Sequence, residues 1–261
     1  METEFNNIAP VLPEPNAYSS AQDFIDGTIL VVDKPHGWTS FDVVNKLRYP
    51  IKRLTKVKRI KVGHAGTLDP LATGVLVVCT GRMTKQINTL MADDKEYTGI
   101  ITLGATTPSF DLETEVEQTF EVDHISEELI EETRQKFLGE IFQVPPIFSA
   151  KKIDGKPAYK AARRGEEVKM RKTIVNIVEL EFTKIEMPDM HFRMRCSKGT
   201  YVRSLAHDFG QALKSGAHLS LLKRTASGAY SLDQAADVKE MQDQIWEMHR
   251  AANSEEKTAE D

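Results

Sequence analysis

The chain is poor in cysteine and has no long apolar run. Cys79 and Cys196 are its two cysteines. Each lies in a strand-like apolar segment without a second Cys or His at metal-ligand spacing, so both are expected to be reduced core residues. The longest apolar run, Val75 to Cys79, is too short to cross a bilayer, and the N-terminus lacks a basic stretch followed by an apolar core. We therefore expect a cytoplasmic protein that does not contact a membrane.

Several familiar enzyme motifs are also missing. The sequence contains no Walker A loop, no G-x-G-x-x-G, no G-x-S-x-G, no H-E-x-x-H and no deaminase signature. No cofactor and no metal is therefore expected. The remaining composition, 40% apolar and 28% charged over 261 residues, is that of one main soluble domain with insertions.

The formal net charge of −5 argues against a general nucleic-acid-binding surface, but the distribution of charge argues for two local ones. The segment from Lys46 to Lys61 carries eight cations and no acid, and the segment from Lys151 to Lys172 carries nine cations against three acids. Such segregation indicates a polyanion bound on one side. The alternative is that both segments are solvated faces, which is the commoner role of a charge run taken alone.

The pattern of elements predicts an α+β fold with a mixed, largely antiparallel sheet, because strands and helices do not alternate regularly. Residues 1–26 read as a flexible, extended arm and residues 27–232 as the main domain, with an insertion at about 143–172. Residues 233–261 read as a helix and a disordered acidic tail.

Individual elements follow from periodicity, caps and breakers. Strands are predicted at 28–33, 74–80, 96–103 and around 192–196. Helices are predicted over 41–47 after a Thr39 or Ser40 cap, over 82–91, after a Ser126 cap, around Tyr201 to Phe209, after Tyr230, and in a short basic stretch that begins at Pro157.

The densest special segment is Gly63 to Gly74, which reads GHAGTLDPLATG. Glycines at this density let the backbone turn tightly or let a ligand approach it. Pro70 disfavours the helical conformation at Asp69, so that carboxylate can project from an extended or turn segment. Taken alone, an Asp-Pro pair is more often a turn initiator than a catalytic group.

The longer string GHAGTLDPLATGVL closely resembles the catalytic motif of the TruB family of tRNA pseudouridine synthases, in which the Asp is essential. The resemblance runs from about Ile29 to about Tyr230. Upstream, VVDKPHGWTSFDVV resembles the first motif of the family and places Lys34 in its Lys-Pro-x-Gly core. The resemblance implies a pseudouridine-synthase fold and Asp69 as the catalytic carboxylate.

Four further segments extend the resemblance. KEYTG matches the active-site tyrosine at Tyr97, and CSKGTYVRSLAHDFG matches a Tyr-x-Arg motif at Tyr201 and Arg203. GAHLSLLKRTASGAY resembles the last motif, with Leu222 at the position of an active-site leucine. VPPIFSAKKIDGKPAYKAARRGEEV resembles an RNA-gripping insertion. The RNA-binding residues implied in this way are His64, Lys151, Lys152, Lys160, Arg163 and Arg164.

The implied reaction converts a T-loop uridine of tRNA, at position 55, to pseudouridine after the base is flipped out. Arg203 would keep Asp69 ionised and lower its pKa. Tyr97 would stack on the base, and His64 would fill the space the base leaves. Lys34 would either order the site or contact phosphate. Without the resemblance, these side chains read as core packing, loop hydrogen bonds and an exposed helical charge.

Three other interpretations remain open at this stage. A synthase acting on ribosomal RNA or with a guide RNA would carry a different Asp motif or a longer C-terminus. A non-catalytic RNA-binding protein that folds tRNA would need the basic segments, but not Asp69, Tyr97 and Arg203 together. We expect a monomer that binds the T arm of tRNA without a metal. Only about thirty residues follow the last motif, so no full C-terminal RNA-binding domain is expected.

Overall fold

A ten-stranded sheet dominates the computed structural model, which describes residues 14–149, 151–153, 156–157, 164 and 170–260. Six α-helices are found in these ranges, and none of them is long and apolar enough to cross a membrane. The helices are α1 (Ala21–Asp26), α2 (Ser40–Thr55), α3 (Ile87–Ala92), α4 (Glu127–Gln135), α5 (Val202–Ala212) and α6 (Val238–Glu260), with 3-10 turns at Gly81–Gln86 and Leu232–Gln234.

The strands of the large sheet come from the whole length of the chain, and two small two-stranded sheets lie outside it. The large sheet contains β1 (Ile29–Lys34), β2 (Val62–His64), β3 (Thr73–Thr80), β4 (Lys95–Leu103), β7 (Gly139–Gln143), β10 (Thr173–Glu186), β11 (Asp189–Cys196), β12 (Ala217–Ser227), β13 (Tyr230–Ser231) and β14 (Ala236–Asp237). The small sheets pair β5 (Ala105–Thr106) with β6 (Gln118–Thr119), and β8 (Lys152–Ile153) with β9 (Lys156–Pro157).

The large sheet has the order β14-β1-β3-β12-β4-β11-β10-β7, with β2 beside β3 and β13 beside β12. Most neighbours are antiparallel, whereas β14 on β1 and β12 on β3 are parallel. Two residue pairs, Lys223 with Thr73 and Arg224 with Gly74, form the whole register between β3 and β12. This short seam joins the two halves of the sheet. The predicted α+β fold with a mixed, largely antiparallel sheet is confirmed.

Different helices cover the two halves of the sheet, and their capping residues and apolar faces explain where they form and pack. Thr39 caps α2 through a capping box with Asp42, and α2 buries one face against β1, β2 and α6. On the other half, α4 and α5 pack on β4, β10 and β11, with Phe209 at the centre of the aromatic contacts. Cys79 and Cys196 are both buried and unpaired, in agreement with the sequence analysis.

Several local expectations differ from the structure. The helix predicted over 41–47 continues to Thr55, and the helix predicted over 82–91 is a 3-10 turn followed by the short α3. Residues 21–26, assigned to a flexible arm, form α1, because Ser20 caps the helix and Phe24 is fully buried in the α2 core. The end of the chain, assigned to a disordered tail, continues α6 to Glu260. Pro157, expected to begin a short helix, ends strand β9, and residues 158–163 lie outside the described ranges. Residues 1–13 and 261 also lie outside them.

Candidate active site

The loop from β2 to β3 enters the sheet at the seam, and one glycine makes this possible. Gly74 has a φ of +97°, and a Cβ atom on it would lie 2.2 Å from the carbonyl oxygen of Arg224. Only glycine therefore lets β3 pass this close to β12. The loop before it carries Asp69, whose backbone carbonyl accepts a bond from Ala72 N–H at 3.1 Å. The predicted Asp-Pro turn is thus held at the point where the two sheet halves meet.

Asp69 and Arg203 meet at a small cleft. The Nε atom of Arg203 lies 2.9 Å from Oδ2 of Asp69, although their contact is an ion pair and not a well-aligned hydrogen bond. The Asp69 side chain is 34% exposed, whereas the Arg203 side chain is 3% exposed. The arginine is therefore a buried support, and the carboxylate is the part of the pair that a ligand can reach. The cleft is lined by Asp69, Leu71, Ala72, Asp111, Arg203, Leu219, Ser220, Leu221 and Leu222.

Arg203 lowers the pKa of Asp69, as expected, but the net pKa of this carboxyl is raised. Burial is the main cause, because it removes water from the charged form. Arg203 opposes this effect, and the nearby carboxylates of Asp111 and Glu113 reinforce it. The prediction took account of the favourable cation but not of desolvation or of a second buried acid. A carboxylate with a raised pKa is a stronger base than an ordinary one.

Arg203 is held by more than its carboxylate contacts. Its Nη1 donates to the Ser109 carbonyl at 3.0 Å, and its Nη2 donates to the Phe148 carbonyl at 2.9 Å. These bonds use the fork geometry of the guanidinium and fix its position at the start of α5. The expectation of a charge at the site is met, and the alternative of an exposed helical charge is wrong, since the residue is buried.

Asp111 is a site residue that the sequence analysis missed. Its side chain is buried, with Oδ2 3.5 Å from Nε of Arg203 and Oδ1 accepting a 3.0 Å bond from Glu113 N–H. Arg203 therefore contacts two carboxylates that line the cleft, the more exposed Asp69 and the buried Asp111. In the sequence Asp111 is one of many acids between residues 111 and 140, and no local signal separates it from them.

Lys34 organises the loop beside Asp69. The side chain is fully buried, and its Nζ donates to the carbonyl groups of Pro35 at 2.9 Å, Trp38 at 2.6 Å and Pro70 at 3.2 Å. Burial lowers its pKa to about 8, an effect that Asp69 opposes. A side chain without exposed surface cannot reach a phosphate. Of the two roles considered for Lys34, the structure therefore supports the ordering role.

Tyr201 anchors the segment that leads into the basic insertion. Its backbone N–H donates to Oε1 of Gln143 at 2.8 Å, and its carbonyl accepts from Nε2 of the same buried glutamine at 3.0 Å. One turn along α5, Ser204 donates to the Val144 carbonyl at 2.7 Å. Burial raises the pKa of the Tyr201 phenol. The first turn of α5 thus joins the base of the insertion to Arg203.

Tyr97 and Leu222 lie on the adjacent strands β4 and β12. Leu222 lines the cleft itself. Tyr97 is 8% exposed and belongs to the core cluster that contains Leu68 and Ala72, and burial raises the pKa of its hydroxyl. The structure therefore places Leu222 at the cleft surface and Tyr97 beneath it.

Arg224 is the second residue that the sequence analysis missed. It follows Leu222 by two positions, so it lies on the same face of β12, and it is completely buried. Its Nε donates to the Val75 carbonyl at 2.7 Å, and its Nη2 donates to the Gly66 carbonyl at 3.1 Å. The guanidinium also interacts with the Tyr97 hydroxyl. Arg224 therefore joins the loop that carries Asp69, β3 and Tyr97, and the two-residue strand period is the signal that could have found it.

His64 ends β2 and is half-buried, with its Nδ1 unpartnered. Burial, with a smaller effect from the Arg224 charge, lowers its pKa below the ordinary histidine value. The imidazole is therefore mainly neutral at pH 7. A neutral ring suits stacking better than it suits a phosphate contact.

The basic insertion is only partly visible. Lys151 is half-buried, Arg164 is exposed in a turn, and Lys152 begins β8. Lys160 and Arg163 lie outside the described residues. Within the described part of the chain, no group of three His, Cys, Asp or Glu side chains could hold a metal ion.

Comparisons with known proteins match the chain almost throughout. Residues 52–202 match the model of the TruB family pseudouridylate synthase N-terminal domain, and residues 203–258 match that of the tRNA pseudouridylate synthase B C-terminal domain. The tRNA pseudouridine synthase B of Flavobacterium johnsoniae is 53% identical over 83% of this chain and 95% of its own length. The same enzyme of Parabacteroides distasonis is 53% identical over 85% of this chain and 94% of its own.

Solved structures are similar in fold. A Cbf5-Nop10-Gar1 complex contains a chain that is 28% identical, with a TM-score of 0.65, over 92% of this chain and 64% of that one. A chain of an H/ACA RNP bound to a substrate RNA containing 2′-deoxyuridine is 29% identical, with a TM-score of 0.61, over 86% and 55%. The protein thus spans less than two thirds of these solved chains. The family models and the curated relatives identify an enzyme, a tRNA pseudouridine synthase, and the chain belongs to the TruB family of pseudouridylate synthases.

Proposed function

We propose that this enzyme converts the uridine at position 55, in the T loop of tRNA, to pseudouridine, with Asp69 as the catalytic carboxylate. The observation that carries the proposal is the exposure of Asp69 at a cleft in which its partner Arg203 is buried. A carboxylate with this environment is fixed in place and still accessible to a substrate.

The reaction needs no external reagent. The bond between N1 of the base and C1′ of the ribose breaks, the base turns, and a bond forms between C5 and C1′. The C5 proton leaves and N1 gains a proton, so the product has the mass of the substrate. Attack of Asp69 on C1′, its attack on C6 and its removal of a sugar proton would each use this one carboxylate.

The surrounding residues supply the position of the base. Leu222 lines the cleft together with the loop that carries Asp69, and Tyr97 lies in the adjoining core with its hydroxyl toward Arg224. A base that enters the cleft would pack on Leu222 and stack on Tyr97. His64, neutral and half-buried, would fill the gap left in the RNA when the base is extruded.

Phosphate contacts are assigned to the basic insertion. Lys151 and Arg164 are two of its described cations, and the first turn of α5 ties its base to the active site through Gln143 and Phe148. Closure of this segment on the RNA backbone would therefore be transmitted to Arg203. Because tRNA is the substrate, the proposed place of action is the cytoplasm.

The proposal is tested by mapping the product. Unmodified tRNA is incubated with the enzyme, treated with carbodiimide and copied by reverse transcriptase, which should stop next to position 55. The Asp69→Asn variant should give no stop while it still binds tRNA. A non-catalytic tRNA-folding protein would give no stop with either form, and a stop at another position would reject the assigned site.

A further inference from the structure

A second cleft lies between α2 and α6, outside the active site. It is shallow and contains both polar and aromatic side chains. The described residues offer no segment of the chain that fills it. Its walls are formed by Gly37, Trp38, Asp42, Asn45, Lys46, Tyr49 and Gln242.

Aromatic rings at this cleft are unusually exposed. The Tyr49 side chain is 60% exposed, and its ring meets Trp246 of α6 edge to face with centroids 5.7 Å apart. Phe41 lies eight residues before Tyr49 on α2, outside the cleft lining, and is 59% exposed. The guanidinium carbon of Arg48 lies 5.8 Å from the centroid of its ring. Exposing several large aromatic rings to water on one helix is unfavourable unless a ligand covers them. Such exposed rings are typical of surfaces on which nucleic-acid bases stack.

Along α2, exposed cations outnumber the one exposed acid. Lys46 lies in the cleft, and further along the helix Lys52 and Arg53 are exposed as well. The acid in the cleft, Asp42, is already committed, since it accepts bonds from the Thr39 N–H at 2.9 Å and the Thr39 hydroxyl at 2.6 Å. The partner of highest complementarity is therefore a polyanion that also carries planar rings.

Helix α6 contributes a stripe without acids. Gln242, Trp246, His249 and Asn253 follow one another at three- or four-residue spacing and so share one side of the helix beside α2. The exposed acids Asp243 and Glu247 fall on a different side at these spacings.

The second cleft adjoins the catalytic loop but is separate from the catalytic cleft. Gly37 donates its N–H at 2.9 Å to the carbonyl of Pro70, the residue that follows Asp69. The carbonyl of Trp38 accepts a hydrogen bond from Nζ of Lys34. The two clefts share no lining residue. A nucleotide in the second cleft would therefore be a different one from the nucleotide that reacts.

We propose that the α2–α6 cleft binds unpaired nucleotides of the tRNA substrate outside the T arm, by stacking on Tyr49 and Trp246 and by phosphate contact with Lys46. This inference rests on the proposed tRNA substrate. The proposal assigns a ligand to the acid-free Lys46–Lys61 segment, none of whose residues lines the catalytic cleft.

The test compares two substrates, full-length tRNA and a synthetic T-arm stem-loop, by tritium release from C5-labelled uridine at one salt concentration. The Lys46→Ala/Tyr49→Ala variant should raise the KM for full-length tRNA at least about fivefold, since each stacked base contributes about 1 kcal/mol or more. Its kcat on both substrates and its KM for the stem-loop should not change. Tyr49→Phe should behave as the parent enzyme, because the ring is kept.

Lys184→Ala is the matched control, because Lys184 is an exposed lysine paired with Glu186 at the far β10–β11 turn. It should leave both KM values unchanged. An equal rise on the stem-loop would overturn the assignment to RNA outside the T arm. A KM that does not move on either substrate would overturn RNA binding at this cleft. Absence of turnover by the unmodified enzyme would instead reject the proposed function.

Discussion

Two groups of cations in this protein are used in opposite ways. Lys34, Arg203 and Arg224 are fully buried, and each donates to two or more backbone carbonyls around the candidate active site. The cations of the Lys46–Lys61 segment are mostly exposed, and no acid in the segment balances them. The buried cations stabilise the fold, and the cations of the Lys46–Lys61 segment lie on the surface, where RNA can contact them.

The physical reason is the cost of burying charge. An ion moved into the core loses several kcal/mol of hydration unless hydrogen bonds and counter-charges replace the water. Such a cation has no donor left for RNA, and moving it would leave buried carbonyl groups without hydrogen-bond partners. An exposed cation keeps its water, so it contributes to binding mainly by releasing counterions from phosphate. Substitutions should therefore affect kcat in the first group and affinity in the second.

The largest effect is expected at the carboxylate that the buried group supports. Asp69→Asn removes the one accessible charge of the Asp69–Arg203 pair and should lower tritium release below detection. The affinity for tRNA should stay within about tenfold, because few phosphate contacts are lost. Filter binding on the same preparation provides the control. Measurable turnover by this variant would contradict the assignment.

Arg224→Lys tests whether geometry or charge matters in the buried group. A lysine keeps the charge but cannot reproduce the forked bonds to Val75 and Gly66, so the catalytic loop and Tyr97 should lose their alignment. We expect kcat to fall by about tenfold or more, with KM nearly unchanged. Arg195→Lys, at an exposed residue paired with Glu179, is the matched control. A normal kcat in Arg224→Lys would show that charge alone is enough.

The pH profile reports on the buried carboxylates. Asp69 must be ionised to act, and its pKa in the free protein is raised, so kcat/KM should fall as the pH drops through a midpoint above the ordinary carboxyl value. Glu113→Gln removes one of the negative charges that raise this pKa and should move the midpoint to lower pH. The Arg203–Asp69 pair is left in place by this change. A shift to higher pH would contradict the stated direction.

The smallest effect is expected at an exposed cation outside both groups, in the basic insertion. Arg164→Ala should weaken tRNA binding several-fold, leave kcat unchanged and reduce the slope of log affinity against log salt by about one unit. The measurement is a salt titration of binding, with Lys184→Ala as the control outside the insertion. If the slope were unchanged, the arginine would belong to a solvated face and not to the RNA contact.

The elements with strong local signals were predicted well. The strands β1, β3 and β4 begin and end within one residue of their predicted bounds, and the capped helices α2 and α4 begin where predicted, because caps and periodicity act within a few residues. The end of α2 was missed, because the helix continues through Pro50 to Thr55. Segment α1 was missed, since six residues show too little periodicity and its stability comes from Phe24 in a distant core. The end of α6 was missed for a similar reason, because composition alone indicated disorder there.

The residues of the candidate site also fall into those that local motifs predict and those that they do not. Motifs identified Asp69, Tyr97, Arg203 and Leu222, and the structure brings Asp69, Arg203 and Leu222 to one cleft and Tyr97 to the core next to it. Asp111 was not found, because its contact with Arg203 joins positions 92 residues apart in the chain, and nothing in either neighbourhood reveals it.

By itself the sequence determined the family and the α+β class and supplied Asp69 as the candidate carboxylate, because these depend on motifs and on local periodicity. Only the tertiary structure decided the direction of the Asp69 pKa, the role of Lys34 and the presence of Arg224 in the site. Each of these depends on how much water is excluded and on which carbonyl groups lie within 3 Å or so of a buried donor. Burial and partner distance are set by the meeting of β3 and β12 at a two-residue seam, which local sequence does not specify.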